Sequence, residues 1–189
     1  MILSVALWVV IALFPISEIV LTVLKRATPA TAKVDDRGSI RWLWIAITLG
    51  VGLAIVGRSV PWAHLPGPSR VLRMAALVLL VVGLGIRWVA ILTLGRYFTV
   101  NVAIQDQQPV IQTGLYRFIR HPSYAGMLLA FVGLGVYFES WLSLLLLLVP
   151  ITAAVMNRIS KEEAVLLTAL GPRYAAYCAR TKRLIPGLL

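Results

Sequence analysis

Two polar clusters in a largely apolar sequence combine residue types that could carry chemistry. The first is YRFIRHPSYAG, residues 116–126. Pro122 has no backbone N–H and fits the first position of a helix, which places His121 at or near the N-cap. A helix start offers free N–H groups and a partial positive charge, to which Arg117 and Arg120 add. This stretch therefore predicts a site for an anionic group, with ordinary capping at a basic interface as the alternative.

The second cluster follows the last apolar run of the chain. Arg158 and Glu162 are four residues apart, so they share one face if this segment is helical. The Gly-Pro pair at 171–172 predicts that this helix ends and another begins. In the second helix Tyr174 and Tyr177 are three residues apart, and we expect them to serve mainly as anchors at a membrane interface.

Five apolar runs are available to position these clusters. They cover residues 2–24, 40–60, 71–94, 124–138 and 141–156. The last two runs are short for membrane spans and are joined by the sequence FESW. We expect them to form a tight helical hairpin, with a re-entrant pair as the alternative. The sequence therefore predicts an all-α, polytopic membrane bundle of about five spans, followed by C-terminal helices on the cytoplasmic side.

The composition supports this architecture. Hydrophobic residues make up 60% of the 189 residues and the mean hydropathy is +0.89, whereas ordinary soluble domains are roughly half apolar. No internal repeat or low-complexity linker is visible in the sequence. We therefore expect one membrane-embedded domain over residues 1–189, with three spans in 1–94 and both polar clusters in 95–189. The first run lacks a basic n-region and a cleavage site, so we interpret it as a retained span.

The distribution of charge predicts the orientation in the membrane. The net charge is +11, but the basic residues lie at the ends of apolar runs, where they anchor helices, so nucleic acid is not an expected partner. Five basic residues follow the first run: Lys25, Arg26, Lys33, Arg37 and Arg41. This excess predicts a cytoplasmic loop, with the N-terminus outside. The polar segment 95–123 and the tail 157–189 are then cytoplasmic.

Two charged residues fall inside apolar runs. Glu18 lies in the first run and Arg87 in the third, each about 10 Å deep by helix rise. An unpaired charge at that depth is costly. We therefore expect both side chains to face the interior of the bundle and to pair with each other, and we favour a structural role over a catalytic one.

Three motifs follow one another through the C-terminal half. They are LGRYFTVNV at 94–102, GLYRFIRHPSYAG at 114–126, and a tail that contains RISKEEAVL and LGPRYAAY. Together, in this order and spacing, they resemble the isoprenylcysteine carboxyl methyltransferase family. The resemblance implies a membrane-embedded enzyme that uses S-adenosylmethionine and lacks the Rossmann fold of soluble methyltransferases.

The resemblance also implies roles for individual residues. It assigns cofactor binding to Val110, Ile111, Tyr116, His121, Pro122, Ser123, Tyr124 and Glu162. Arg158 matches the arginine that orients the substrate carboxylate, so it is the implied catalytic and substrate-binding residue. The stretch NVAIQDQQPVIQTG departs from the family pattern, and no role is assigned to Asn101 or Gln108 within it.

The implied reaction methylates the carboxylate of a lipophilic, prenylcysteine-like acceptor that enters from the bilayer to the cytoplasmic interface. A carboxylate is ionised at neutral pH and needs no general base, and the guanidinium of Arg158 can orient it through two hydrogen bonds. Three alternatives remain: a phospholipid or amine N-methyltransferase, an NADPH-dependent membrane reductase, and a non-enzymatic membrane scaffold. No metal is expected, because His64 and His121 are predicted to lie on opposite sides of the membrane.

Overall fold

The computed structural model describes residues 2–24, 37–100 and 108–187. Within them the chain forms six α-helices: α1 (Ile2–Leu24), α2 (Arg37–Gly57), α3 (Ser69–Leu94), α4 (Pro122–Tyr137), α5 (Trp141–Leu170) and α6 (Pro172–Arg180). Three short 3-10 turns cover Pro61–Ala63, Gly95–Tyr97 and Gly114–Arg117, and these described ranges contain no β-strand. The predicted all-α architecture is confirmed.

The helices match the five predicted runs, with different ends. Four of them, α1, α2, α3 and α5, are long and apolar enough to cross a membrane, and α4 is a shorter apolar helix. The hairpin of α4 and α5 has unequal arms, because α5 continues past Met156 to Leu170. Gly171 and Pro172 then start α6, as predicted. The turn of the hairpin contains Glu139, whose φ is 56°.

Glycines bring α3 and α4 into close contact. A Cβ atom added to Gly126 would lie 2.5 Å from the backbone nitrogen of Arg87, and one added to Gly83 would lie 2.5 Å from the backbone nitrogen of Ala130. Small residues let the backbones of membrane helices approach in this way. The start of α4, which carries the predicted cofactor segment, is thereby fixed against α3.

The predicted pairing of the two intramembrane charges is confirmed. Nε and one terminal nitrogen of Arg87 donate to the two carboxylate oxygens of Glu18, each at 2.5 Å. The other terminal nitrogen donates to the Ser123 hydroxyl at 2.9 Å and to the Ser123 carbonyl at 3.2 Å. The two charged side chains are only 8% and 15% exposed. Arg87 of α3 therefore ties α1 to the first turn of α4.

The remaining helices form two opposite walls. α1 packs on α3, whereas α2 packs on α5. Two serines fix the second contact: the Ser143 hydroxyl donates to the Ala54 carbonyl at 2.7 Å, and the Ser140 hydroxyl donates to the Gly57 carbonyl at 3.3 Å. Because α1 and α2 pack on different partners, they face each other across a space in the bundle.

The C-terminal segment folds back onto the start of α4. The backbone N–H groups of Arg120 and His121 donate to the carbonyls of Lys182 and Arg183 at 2.8 and 2.9 Å. The prediction that the two tyrosines of α6 are interfacial anchors is wrong, because they lie on the one face of that helix that is buried. Tyr174 and Tyr177 are each 3% exposed, and the Tyr177 hydroxyl donates to the Tyr116 carbonyl at 2.6 Å.

Candidate active site

One cavity of about 630 Å³ connects the polar clusters to the opposite end of the helices. Tyr124 and Tyr137, thirteen residues apart on α4, both line it, so it is about 20 Å long by helix rise. Apolar side chains of α1, α2 and α4 surround its middle: Ile11, Phe14, Ile47, Val51, Met127, Phe131 and Leu134. Its volume lies within the range of small-molecule sites, and only one end carries a cluster of charges.

The start of α4 has the predicted backbone geometry. His121 occupies the N-cap and Pro122 the first helical position. Nε2 of His121 lies 3.3 Å from the Glu163 carboxylate, whereas Nδ1 lies 4.0 Å from that of Glu162. Since a carboxylate can only accept, the contact with Glu163 places the hydrogen on Nε2. Pro122 is fully buried and shapes the helix start behind the cavity wall.

Arg120 was predicted to add to the positive charge of the helix start, but the structure pairs it with an acidic residue. Its Nε donates to the Glu163 carboxylate at 2.8 Å. One terminal nitrogen donates to the carbonyls of Thr181 and of Cys178, the latter at 3.1 Å. Its side chain is only 11% exposed. Arg120 therefore serves to hold the C-terminal segment, and its charge is balanced within the protein.

Glu163 is a central residue of this region that the sequence reasoning missed. Its carboxylate also accepts from Arg183, at 2.9 Å from Nε and 2.7 Å from a terminal nitrogen. Glu163 is 6% exposed, whereas the side chain of its neighbour Glu162 is 30% exposed. Adjacent residues on a helix point about 100° apart. The EE pair at 162–163 was the available signal, since its two carboxylates have to face different surroundings.

Arg158 and Glu162 share the face of α5 that lines the cavity, as predicted. Nε of Arg158 donates to the Tyr124 hydroxyl at 2.7 Å, and that hydroxyl donates to the Glu162 carboxylate at 3.0 Å. The terminal nitrogens of Arg158 donate to the Ser39 hydroxyl at 3.0 Å and to the Val100 carbonyl. The Tyr124 hydroxyl therefore joins the two charged residues that were predicted to bind different ligands.

The other predicted site residues meet at the same place. Val110, Ile111, Tyr116 and Ser123 line the cavity, and so does Gln108. Of the nine residues predicted to bind cofactor or substrate, all except Pro122 therefore line one cavity. Burial raises the pKa of the Tyr116 hydroxyl above its ordinary value, so this group is neutral at physiological pH. Asn101 lies outside the described residues.

The part of the chain that the structure describes has no group of three or more His, Cys, Asp or Glu side chains that could hold a metal ion. The two histidines lie at opposite ends of α4. His121 precedes the helix, whereas His64 pairs through its backbone with Ser140 beyond the far end. The charged end of the cavity thus offers hydrogen-bonding and ionic groups to a ligand.

A long apolar cavity with a charged end, enclosed by helices of membrane-spanning length, defines an α-helical membrane protein with an internal cavity. Within that class, residues 76–168 match the sequence model of the Isoprenylcysteine carboxyl methyltransferase (ICMT) family. The family resemblance predicted from the motifs is therefore confirmed.

Named proteins are similar to part of the chain. Over 112 residues it is 33% identical to the "Probable protein-S-isoprenylcysteine O-methyltransferase" of Oryza sativa subsp. japonica, covering 58% of this chain and 59% of the relative. Over 118 residues it is 29% identical to the "Protein-S-isoprenylcysteine O-methyltransferase" of Schizosaccharomyces pombe, covering 61% and 50%. The matches thus span half to three-fifths of the relatives' length.

A solved structure shares the fold. The structure of the eukaryotic intramembrane Ras methyltransferase ICMT superimposes with a TM-score of 0.53 at 22% sequence identity. The match covers 82% of this chain and 55% of that one. It supports a membrane helical bundle instead of a Rossmann fold, as the motifs predicted.

Proposed function

We propose that this protein transfers a methyl group from S-adenosylmethionine to the carboxylate of a lipophilic, prenylcysteine-like acceptor. The observation that carries the proposal is the linked group of Arg158, Tyr124 and Glu162 at the charged end of a long apolar cavity. A reaction between a charged, soluble cofactor and a lipid requires one site with a charged region for the cofactor and an apolar region for the lipid. The ICMT family match and the names of the relatives support methyl transfer as the reaction class.

The residues of the charged end fit the cofactor. Glu162 lines the cavity with a side chain 30% exposed, so an ammonium or ribose hydroxyl group can reach its carboxylate. The first turn of α4 presents backbone N–H groups of the kind that bind carboxylates. Tyr116 and His121 lie beside that turn in the cavity wall. When bound, S-adenosylmethionine supplies an electrophilic methyl group attached to a positively charged sulfur.

Arg158 is the residue that would hold the acceptor carboxylate. It is 4% exposed and donates to three neutral oxygen atoms, those of Tyr124, Ser39 and Val100. A carboxylate that replaces Ser39 and Val100 would make stronger, charge-assisted hydrogen bonds in a bidentate arrangement. One carboxylate oxygen can then attack the methyl carbon while the methyl–sulfur bond breaks, and its electron pair stays on sulfur. The residues need only align the partners and exclude water.

The product carries no negative charge for Arg158 to bind. The ester formed on the acceptor is neutral, so its hydrogen bonds to Arg158 are weaker than those of the carboxylate. The Ser39 hydroxyl and the Val100 carbonyl can then take the guanidinium back. This exchange favours release of the methylated acceptor into the bilayer.

We infer that the charged end faces the cytoplasm, because the loop between α1 and α2 is rich in basic residues. Lys25, Arg26 and Lys33 of that loop lie outside the described residues. Arg117→Cys and Trp62→Cys, each made after Cys178→Ala, place an exposed thiol at opposite ends of α4. In vesicles with the external face outward, an impermeant maleimide should label only Trp62→Cys. Labelling of only Arg117→Cys would reverse the orientation.

Methyl transfer is tested with protein in membranes, methyl-labelled S-adenosylmethionine and a panel of prenylcysteines, fatty acids and phosphatidylethanolamine. Treatment with base releases methanol from a methyl ester and leaves an N-methyl group in place. We expect base-labile label on the prenylcysteines. Arg158→Lys keeps the charge but loses the planar fork, so its activity should fall at least about tenfold. Exposed Arg117→Lys is the matched control. Base-stable label would support an N-methyltransferase, and NADPH binding without any label would support a reductase.

A further inference from the structure

We propose that Trp8, Arg58 and Tyr137 form a partition that closes the far end of the cavity and sets the longest acceptor tail the enzyme accepts. The inference rests on the proposed function, since it concerns the hydrocarbon tail of the acceptor. It concerns residues on the opposite side of the bundle from the reacting groups.

The partition is defined by two cavities that share a wall. A second, smaller cavity of about 120 Å³ lies beyond the far end of the first. Trp8, Arg58 and Tyr137 line both cavities. The rings of Trp8 and Tyr137 meet edge to face, with centroids 6.0 Å apart and planes at 75°. One aromatic contact between α1 and α4, completed by the Arg58 side chain, therefore separates the two spaces.

The space behind the partition is unsuited to hydrocarbon. Its lining includes Glu139, which accepts from Arg73 Nε at 3.0 Å and from the Ser69 hydroxyl at 2.7 Å. Burial alone would raise the pKa of Glu139, but these hydrogen bonds and the charges of Arg73 and Arg58 hold it below its ordinary value. Glu139 is thus ionised at neutral pH. A tail that crosses the partition would meet charges, and its end would gain little from leaving water.

The length of the cavity gives the tail length. Of the roughly 20 Å between Tyr124 and Tyr137, the part of the acceptor that joins the carboxylate to the sulfur takes about 4–5 Å, close to one residue of chain. The remaining 15 Å or so holds about twelve extended carbon–carbon bonds at roughly 1.25 Å each. An isoprene unit contributes four carbons to the main chain, so three units fit. A fourth unit would have to displace the partition.

Substitution of Trp8 tests the partition directly. Trp8→Ala would remove the indole from the shared wall, so that a longer tail could occupy the space of the ring without reaching the charged residues beyond it. Trp42→Ala is the matched control, because Trp42 is 59% exposed on α2, against 62% for Trp8, and lines neither cavity. Leu134→Trp would fill the cavity one turn before the partition. Tyr137→Leu would open the partition from the α4 side, and it serves as a second test in case Trp8→Ala does not fold.

The experiment compares cysteine acceptors with prenyl tails of ten, fifteen and twenty carbons. For each variant it measures kcat/KM for base-labile methyl transfer and, separately, the rise in Tm that each unmethylated acceptor causes. Wild type should prefer fifteen carbons over twenty by at least about tenfold, because the fourth unit would have to displace the partition. Trp8→Ala or Tyr137→Leu should reduce that ratio below about threefold, and Leu134→Trp should move the preference to ten carbons.

The two readouts separate the partition from the proposed reaction. Methyl transfer with no length dependence, or a twenty-to-fifteen ratio unchanged in folded Trp8→Ala and Tyr137→Leu, would overturn the partition and leave the reaction standing. An equal change in Trp42→Ala would also overturn it. A length-dependent rise in Tm without methyl transfer would support the partition and refute the reaction. The absence of both effects in folded wild type would overturn both proposals.

Discussion

Replacement of Glu163 by alanine should unfold the C-terminal segment without removing any group that faces the cofactor. Glu163 balances Arg120, whose side chain is 11% exposed, and contacts His121, which is 3% exposed. Removing one partner of a buried ion pair costs about 3–5 kcal/mol, because the remaining charge stays buried. Arg183 is 37% exposed, and its loss adds about 0–1 kcal/mol. For a chain of this size the sum of about 3–6 kcal/mol corresponds to a fall in Tm of about 6–24 °C.

The adjacent glutamate provides the matched control. Glu162→Ala removes a carboxylate whose side chain is 30% exposed and whose one close hydrogen bond comes from the Tyr124 hydroxyl. A hydrogen bond to a charged group contributes about 1.5–3 kcal/mol, or about 3–12 °C in Tm. On the proposed function the same substitution should weaken S-adenosylmethionine binding at least about tenfold. Tryptophan fluorescence in detergent measures Tm, and calorimetry measures binding of the cofactor.

The two neighbours should therefore separate stability from binding. Glu163→Gln keeps one acceptor oxygen, and its Tm should lie between those of wild type and Glu163→Ala. The reasoning would be refuted if Glu163→Ala unfolds within about 2 °C of wild type, or if the two alanine variants lower Tm equally. Loss of cofactor binding in Glu163→Ala at temperatures where the protein is fully folded would instead place Glu163 in the binding site.

Three further predictions concern the elements that hold the site. Glu18→Ala and Arg87→Ala should each lower Tm strongly, and the double variant should lower it by much less than their sum, because each single variant strands the other charge. Tyr124→Phe should reduce kcat/KM for methyl transfer at least about tenfold and lower Tm by at least as much as Glu162→Ala, since the lost hydroxyl binds both Arg158 and Glu162; unchanged kinetics would contradict its role. Gly126→Ala should destabilise by about 1–3 kcal/mol or more through its clash with α3, whereas exposed Gly85→Ala, with open space around its Cβ, should have no adverse effect on Tm.

Local sequence patterns predicted the parts of the structure that depend on neighbours in the chain. Apolar runs located the helices, and Pro122 located the start of α4. The four-residue spacing placed Arg158 and Glu162 on one face of α5, and that face lines the cavity. The depth of Glu18 and Arg87 predicted their pairing, because two buried charges of opposite sign have few other partners.

Contacts between distant segments could not be read from the sequence. Ser39 accepts a hydrogen bond from Arg158 across 119 residues, and no local pattern marks a serine at the start of α2 as a partner. The burial of Tyr174 and Tyr177 has the same origin. One face of their helix lies against residues 116–119. Residues 119–121 also pair with residues 182–183, beside the ion pairs of Glu163 with Arg120 and Arg183.

The long-range contacts of Arg158 also bear on how the site opens. In this structure its guanidinium joins α5 to α4 through Tyr124, to α2 through Ser39, and to the segment after α3 through Val100. On the proposed function an acceptor carboxylate would displace the last two contacts, which hold α2 and that segment at the charged end of the cavity. Binding of the acceptor would thus weaken the restraints on two walls at the moment when the tail fills the space between α1 and α2. Formation of the neutral ester would restore them, so closure of the charged end would follow the loss of the carboxylate charge.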